Sequence, residues 1–179
     1  FGLWSIFLAK VYPSVQVVAV EPHPVNFRYL RWNARINGFK NLQMHNLGIS
    51  QRTGDVMHTP VCMGGQTGCD TATATLTPSG EPLHMVPGLI PRGTARVRTT
   101  SLLDLLHRAA PDKRVALLKL DCEGCEISVR GSDEWVELRK RIANIVGEFH
   151  DEHYTEGIEF ANATKFDALF HHWKKRSNA

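Results

Sequence analysis

The stretch VALLKLDCEGCEISV, Val115 to Val129, decides how this chain folds. It begins with a strand-sized, nearly unbroken apolar run. Asp121 closes that run, and after Gly124 the pattern EISVRGSDEWVELRKR reads as a helix. A continuous apolar run suits a parallel strand covered on both faces. A strand, a short turn and a helix in succession form the repeating unit of an α/β sheet.

The same alternation extends in both directions. Upstream, ARVRTTSLLDLLHRAAP gives a strand end at Val97, a Thr or Ser cap, and a short amphipathic helix through Leu102, Leu105 and Leu106. Downstream, IANIVGEFH reads as a strand, and IEFANATKFDALFHHWKK carries apolar residues at helical spacing through Trp173. Near the start, Phe1 to Val11 has helical spacing and Val15 to Val20 is a β-branched run ending in Glu21 and Pro22. HPVNFRYLRWNARINGF then reads as a helix, with Pro24 in its first turn and Gly38 as its C-terminal cap. NLQMHNLGIS follows as a second strand, and TGDVMHTP as half of a hairpin. This order predicts an α/β fold with an open, mostly parallel sheet flanked by helices, in a single domain over residues 1–179. Residues from about 60 to 96 are rich in Gly, Pro and Thr without a period, and are expected to form an irregular insertion loop.

Composition narrows the class. With 42% hydrophobic and 22% charged residues among 179, the chain reads as an ordinary globular protein. It has no apolar run near the ~18 residues of a membrane-spanning helix and no signal-peptide pattern. These absences do not locate the parent protein, so a cytoplasmic location is only the default; no membrane contact is evident in this stretch, and the oligomeric state is left open. Because it opens on Phe1 inside a helical pattern, the chain is expected to be a fragment. The net charge is +3, and Arg28, Arg31 and Arg35 share a helix face. These arginines read as a solvated face rather than a nucleic-acid site, since no aromatic platform is apparent beside them.

In open parallel sheets, ligands bind beyond the carboxyl ends of the strands. Here those ends carry Glu21; His45, Asn46 and Leu47; Asp121 to Gly124; and Glu148 to His150. Three of the four carry a carboxylate. Crowding acids into one crevice makes sense when a ligand offsets their repulsion. An acid at the end of a strand such as Glu21 suits the two hydroxyls of a ribose.

Together these segments resemble the FkbM-type methyltransferase family, which uses S-adenosylmethionine. Leu30, Asn33, Asn37 and Gly38 are similar to its Leu…Asn…Asn-Gly pattern. Lys119, Asp121, Glu123, Gly124 and Glu126 fit its Lys-x-Asp-x-Glu-Gly-x-Glu signature, and Glu148 and His150 its Glu-x-His. The resemblance implies a Rossmann-like class I fold, here truncated at the N-terminus and C-terminus, with the first strand and most of the glycine-rich turn lying before Gly2. It also implies cofactor contacts from Gly2, Glu21, Asn46, Leu47, Gly48 and Asp121. Asp121, Glu123 and His150 would serve catalysis, with His150 the best base by its ordinary pKa. Leu103 stands where the family usually has Asp.

The implied reaction is transfer of a methyl group to a hydroxyl of a small molecule or glycan. A nicotinamide oxidoreductase is the alternative enzyme, since Glu21 suits its ribose too. A zinc or redox module built on Cys122 and Cys125 is the non-catalytic alternative. Cys62 and Cys69 have the wrong spacing to complete a structural zinc site. Asp121, Glu148 and His150 could share a hard divalent cation, but no spacing demands one, so no metal ligand is assigned. Cys122 and Cys125 are expected to be small core or loop residues.

Overall fold

The computed structural model describes residues 2–60, 94–122, 125–149 and 168–172. It is a mixed α/β structure with small parallel sheets, and the chain divides into two compact units.

In the first unit, helix α1 (Leu3–Val11) leads to strand β1 (Val17–Val20), helix α2 (Pro24–Asn37) and strand β2 (Leu42–His45). The β1 and β2 strands pair in parallel, from Val17 opposite Leu42 to Val20 opposite His45. Their core is one cluster: Ala9 from α1, Leu30 and Ala34 from α2, Ala19 from β1 and Leu42 from β2. The small residues Ala9, Ala19 and Ala34 let both helices approach the strands closely, and Leu30 fills the centre. The residues that delimit α2 behave as the sequence expects. Pro24 occupies the first turn, where its missing N–H costs nothing. Gly38 adopts φ 68° and donates its N–H to the carbonyls of Ala34 and Arg35.

Asn41 fixes the C-terminus of α1. Its side-chain amide donates to the carbonyls of Ala9 (3.1 Å), Tyr12 (3.1 Å) and Val15 (3.0 Å). The Tyr12 carbonyl also accepts the Val15 N–H at 3.0 Å, so Asn41 adds to a turn that is already hydrogen-bonded where the helix ends.

The expected second strand is split. It stops at His45, and Gly48–Ile49 forms a separate two-residue strand, β3. The half-hairpin is found as β4 (Val56–Pro60), paired antiparallel with β5 (Thr94–Thr100). The insertion therefore ends before Arg96, because Thr94 to Arg96 belong to β5; residues 61–93 lie outside the described residues.

In the second unit, Ser101 caps helix α3 (Leu102–Ala109), its hydroxyl accepting from the Asp104 N–H at 3.1 Å. Strand β6 covers only Leu118–Leu120, shorter than the expected Val115 to Leu120. Val115 makes an isolated bridge to Ile142, but Ala116 and Leu117 leave the ladder, and the Asn144 side chain donates to the Ala116 carbonyl instead. The single helix expected after the signature is two: α4 (Cys125–Arg130) and α5 (Trp135–Arg141). Ser132 ends the first, its hydroxyl donating to the Val129 carbonyl at 2.9 Å, and Trp135 and Leu138 bury the second.

Strand β7 (Ile145–Phe149) runs parallel to β6 and to β8 (Ala168–His172). The helix expected to run to Trp173 is overturned at Ala168–His172. A short apolar run fits either period, and pairing with β7 makes this one a strand. Gly147 stands opposite Leu120 of β6, and a Cβ there would lie 1.8 Å from the Leu120 carbonyl oxygen. The described strands fall into separate small sheets, where the sequence led us to expect one.

Candidate functional site

Of the expected cofactor residues of the first unit, Glu21 follows the end of β1, and Asn46, Leu47 and Gly48 follow the end of β2. The Glu21 N–H donates to the His45 carbonyl at 3.1 Å, prolonging the ladder by one step. Asn46 then turns its amide back, donating to the Glu21 carbonyl (2.8 Å) and the Pro22 carbonyl (2.9 Å). Asn46 thus positions the end of β1 through its side-chain donor. Leu47, half-buried, and Gly48, buried, follow directly.

The Glu21 carboxylate accepts the His23 N–H at 2.9 Å and a hydrogen bond from the Asn26 side chain. Burial pushes its pKa above the ordinary carboxylate value, and these two hydrogen bonds offset part of the effect. A carboxylate has about four acceptor positions. Two donors from the chain therefore fix the orientation of Glu21 and leave capacity for further donors such as a pair of hydroxyls.

His23 and Asn26, at 1% and 4% exposure, are the site residues that the sequence reading missed. Their signal was a polar pair at the start of α2, invisible to a search for apolar period. Gly2 caps α1 in the left-handed region at φ 78°, and a Cβ there would lie 2.3 Å from Leu30 Cδ1. A side chain there would need the Leu30 methyl to move and would be strained by the left-handed backbone, at the position where the family resemblance puts the end of a glycine-rich turn.

In the second unit, Asp121 follows β6 and pairs with the Lys119 ammonium. The two residues stand two apart, on one side of the strand end. Both are partly solvated, so the pair contributes little to stability and leaves the carboxylate accessible.

Behind them the turn is covalently closed. Cys122 and Cys125 form a disulfide with their Cα atoms 5.4 Å apart, a link that the expectation of small core or loop residues did not include. The tight passage from β6 into α4 brings the pair within the separation a disulfide requires. Glu126 is 0% exposed, and its carboxylate accepts the Cys122 N–H at 2.9 Å. The family signature therefore has an outward acid, Asp121, and an inward one that anchors the turn. Glu123, Gly124 and His150 lie outside the described residues, while Glu148 stands in β7 opposite His171 of β8. Among the described residues, no three His, Cys, Asp or Glu side chains converge as metal ligands.

The structure thus contains a parallel β1–β2 pair ending in an oriented acid, and a strand-to-helix turn carrying Lys119, Asp121 and Glu126. The model of the methyltransferase FkbM domain matches residues 2–176, and the chain belongs to that family. It is 28% identical over 154 residues to a protein of Beauveria bassiana (strain ARSEF 2860) named Methyltransferase 1, covering 84% of this chain and 61% of that protein. It is 29% identical over 171 residues to Methyltransferase sdnD of Sordaria araneosa, covering 82% of this chain and 62% of that protein. The chain thus spans about three-fifths of the length of these curated relatives. No solved structure matches it.

Proposed function

We propose that this chain is the catalytic domain of an S-adenosylmethionine-dependent O-methyltransferase acting on a hydroxyl of a small molecule or glycan. The observation that carries the reading is the Glu21 carboxylate, half-buried at the end of β1 and oriented by His23 and Asn26. Its remaining acceptor capacity suits the two ribose hydroxyls of the cofactor. When bound, the cofactor supplies an electrophilic methyl group on sulfur. The reading carries with it a Rossmann-like class I architecture, which the parallel β1–β2 and β6–β7–β8 ladders support.

In this reading Leu47 and Gly48 flank the adenine, Asn46 holds the β1 end, and Gly2 closes the approach to the glycine-rich turn. Asp121 and Glu123 orient the acceptor, and His150 takes its proton. Placing the hydroxyl in line and removing its proton are what such a transfer requires of the protein. The FkbM family match and the names of the two relatives support methyl transfer as the activity.

Calorimetry on the full-length protein tests the assignment. Two charge-assisted hydrogen bonds make Glu21→Ala cost about 2–4 kcal/mol of cofactor affinity, or roughly 30- to 1,000-fold. Unchanged affinity in that variant, or tighter binding of a nicotinamide dinucleotide than of S-adenosylmethionine, would overturn the reading.

A further inference from the structure

Helices α1 and α2 both bury one stripe in the cluster around Leu30 and turn the opposite stripe to solvent. On α1 that outer stripe is Leu3, Trp4, Phe7 and Val11; Leu3 is 78% exposed, and Trp4 meets Phe7 edge-to-face at 6.3 Å. On α2 it is Tyr29, Trp32 and Ile36, with Trp32 60% and Ile36 64% exposed. Spacings of three and four residues place these side chains on a single ridge along each helix. Exposed apolar side chains scattered singly need no explanation, but a concentration of this kind marks an interaction surface.

Charge identifies the partner. The outer half of α2 also carries Arg28, Arg31 and Arg35, which helical geometry places beside the Tyr29–Trp32–Ile36 ridge, and α1 adds Lys10. Neither helix contains an acidic residue. A second copy docking by the same face would bring these like charges together without acids to pair them. A nucleic acid would pair with the arginines, but it offers nothing to aliphatic side chains such as Leu3, Val11 and Ile36. An anionic bilayer satisfies both parts: its headgroups attract the arginines, and its boundary region accepts Trp, Tyr and aliphatic side chains.

We infer that the outer face of α1 and α2 is a docking surface for an anionic phospholipid membrane. No helix among the described residues is long and apolar enough to span one. The arginines that read from sequence as a solvated face become, beside Trp32 and Tyr29, the electrostatic part of this surface. The inference is independent of the assignment of Glu21.

Flotation with vesicles tests it, using phosphatidylcholine alone and phosphatidylcholine mixed with phosphatidylserine. The protein is expected to float with the mixed vesicles, less as salt rises, and not with the neutral ones. Replacing Arg28, Arg31 and Arg35 together by Gln should weaken binding about 100-fold, at about fivefold for each charge. Trp32→Ala with Ile36→Ala should weaken it by tenfold or more, since each side chain would leave an apolar environment, and should reduce the blue shift of tryptophan emission that accompanies docking. All five positions are exposed, so the thermal midpoints of both variants should match the wild type, which separates lost docking from lost fold. Absence of binding to either vesicle, or variants that bind like the wild type, would overturn the inference. So would an apolar variant that only turns a dimer into a monomer, or preference for single-stranded DNA over vesicles.

Discussion

The side chain of Asn46, at the end of β2, donates to the main-chain carbonyls of both Glu21 and Pro22 at the end of β1. One amide thereby fixes the peptide on which the candidate ribose acid is mounted. Net, a hydrogen bond of this kind contributes about 0.5–1.5 kcal/mol to stability. Asn46→Ala should therefore lower folding stability by about 1–2 kcal/mol in urea denaturation, with a further loss in cofactor affinity. Asn46→Asp should be worse than Ala, because it sets an acceptor against two acceptors. Equal stability of the two variants would show that these carbonyls are satisfied in another way.

The raised pKa of Glu21 gives a pH dependence of definite sign. The folded state holds the Glu21 proton more tightly than the unfolded chain does, because burial penalises the charge. Its contribution to stability is thus full below the ordinary carboxylate pKa and is lost as pH rises through the raised folded value. Ribose hydroxyls donate to the ionised form, so cofactor affinity should run the other way and rise over the same window. Glu21→Gln should flatten both profiles. Calorimetry and denaturation at a series of pH values check this, and an affinity that fell with rising pH there would contradict it.

Two glycines should respond differently to alanine. At Gly147 a Cβ would lie 1.8 Å from the Leu120 carbonyl oxygen and 2.8 Å from its carbon, both backbone atoms that cannot swing away. Gly147→Ala must part β6 from β7 and should cost roughly 3 kcal/mol or more. At Gly38 nothing lies within 4 Å, but φ is 68°. Gly38→Ala should cost only about 1–2 kcal/mol, the price of a left-handed alanine. Thermal midpoints in the reverse order would reject the strand contact.

What the sequence could reveal depended on whether the cause was local. Helix α2 was legible because Pro24 and Gly38 delimit it by their own backbone chemistry, and Ser101 signalled α3 as a cap. Glu21 stood out as an acid closing a β-branched run. The break between α4 and α5 had a signal too, in Gly131-Ser132-Asp133, but the apolar spacing on either side concealed it. Strand β8 had no local signal: Ala168–His172 is a strand because it pairs with β7, a contact between distant parts of the chain. His23 and Asn26 were hidden for a similar reason. Asn26 reaches Glu21 through its side chain and His23 through its main-chain N–H, and an apolar pattern does not register polar residues that pack inward.

The disulfide and Glu126 secure the same turn by different means, and their removal should separate them. The covalent ring closed by Cys122 and Cys125 spans a sequence separation of only 3. Closing so small a loop restricts the unfolded chain little, about 2 kcal/mol on the chain-entropy scale. Cys122→Ser with Cys125→Ser should therefore leave the protein folded, with a midpoint lowered by that amount, and reduction of the wild type by dithiothreitol should match it. Glu126→Ala removes a fully buried side chain and strands the Cys122 N–H that it accepts. Loss of a buried partner adds about 1–3 kcal/mol to the cost of the cavity. The Glu126 variant should thus be the less stable of the two under both oxidising and reducing conditions. If denaturation showed the serine pair to be the more damaging, the disulfide rather than the buried carboxylate would be the anchor of the signature turn.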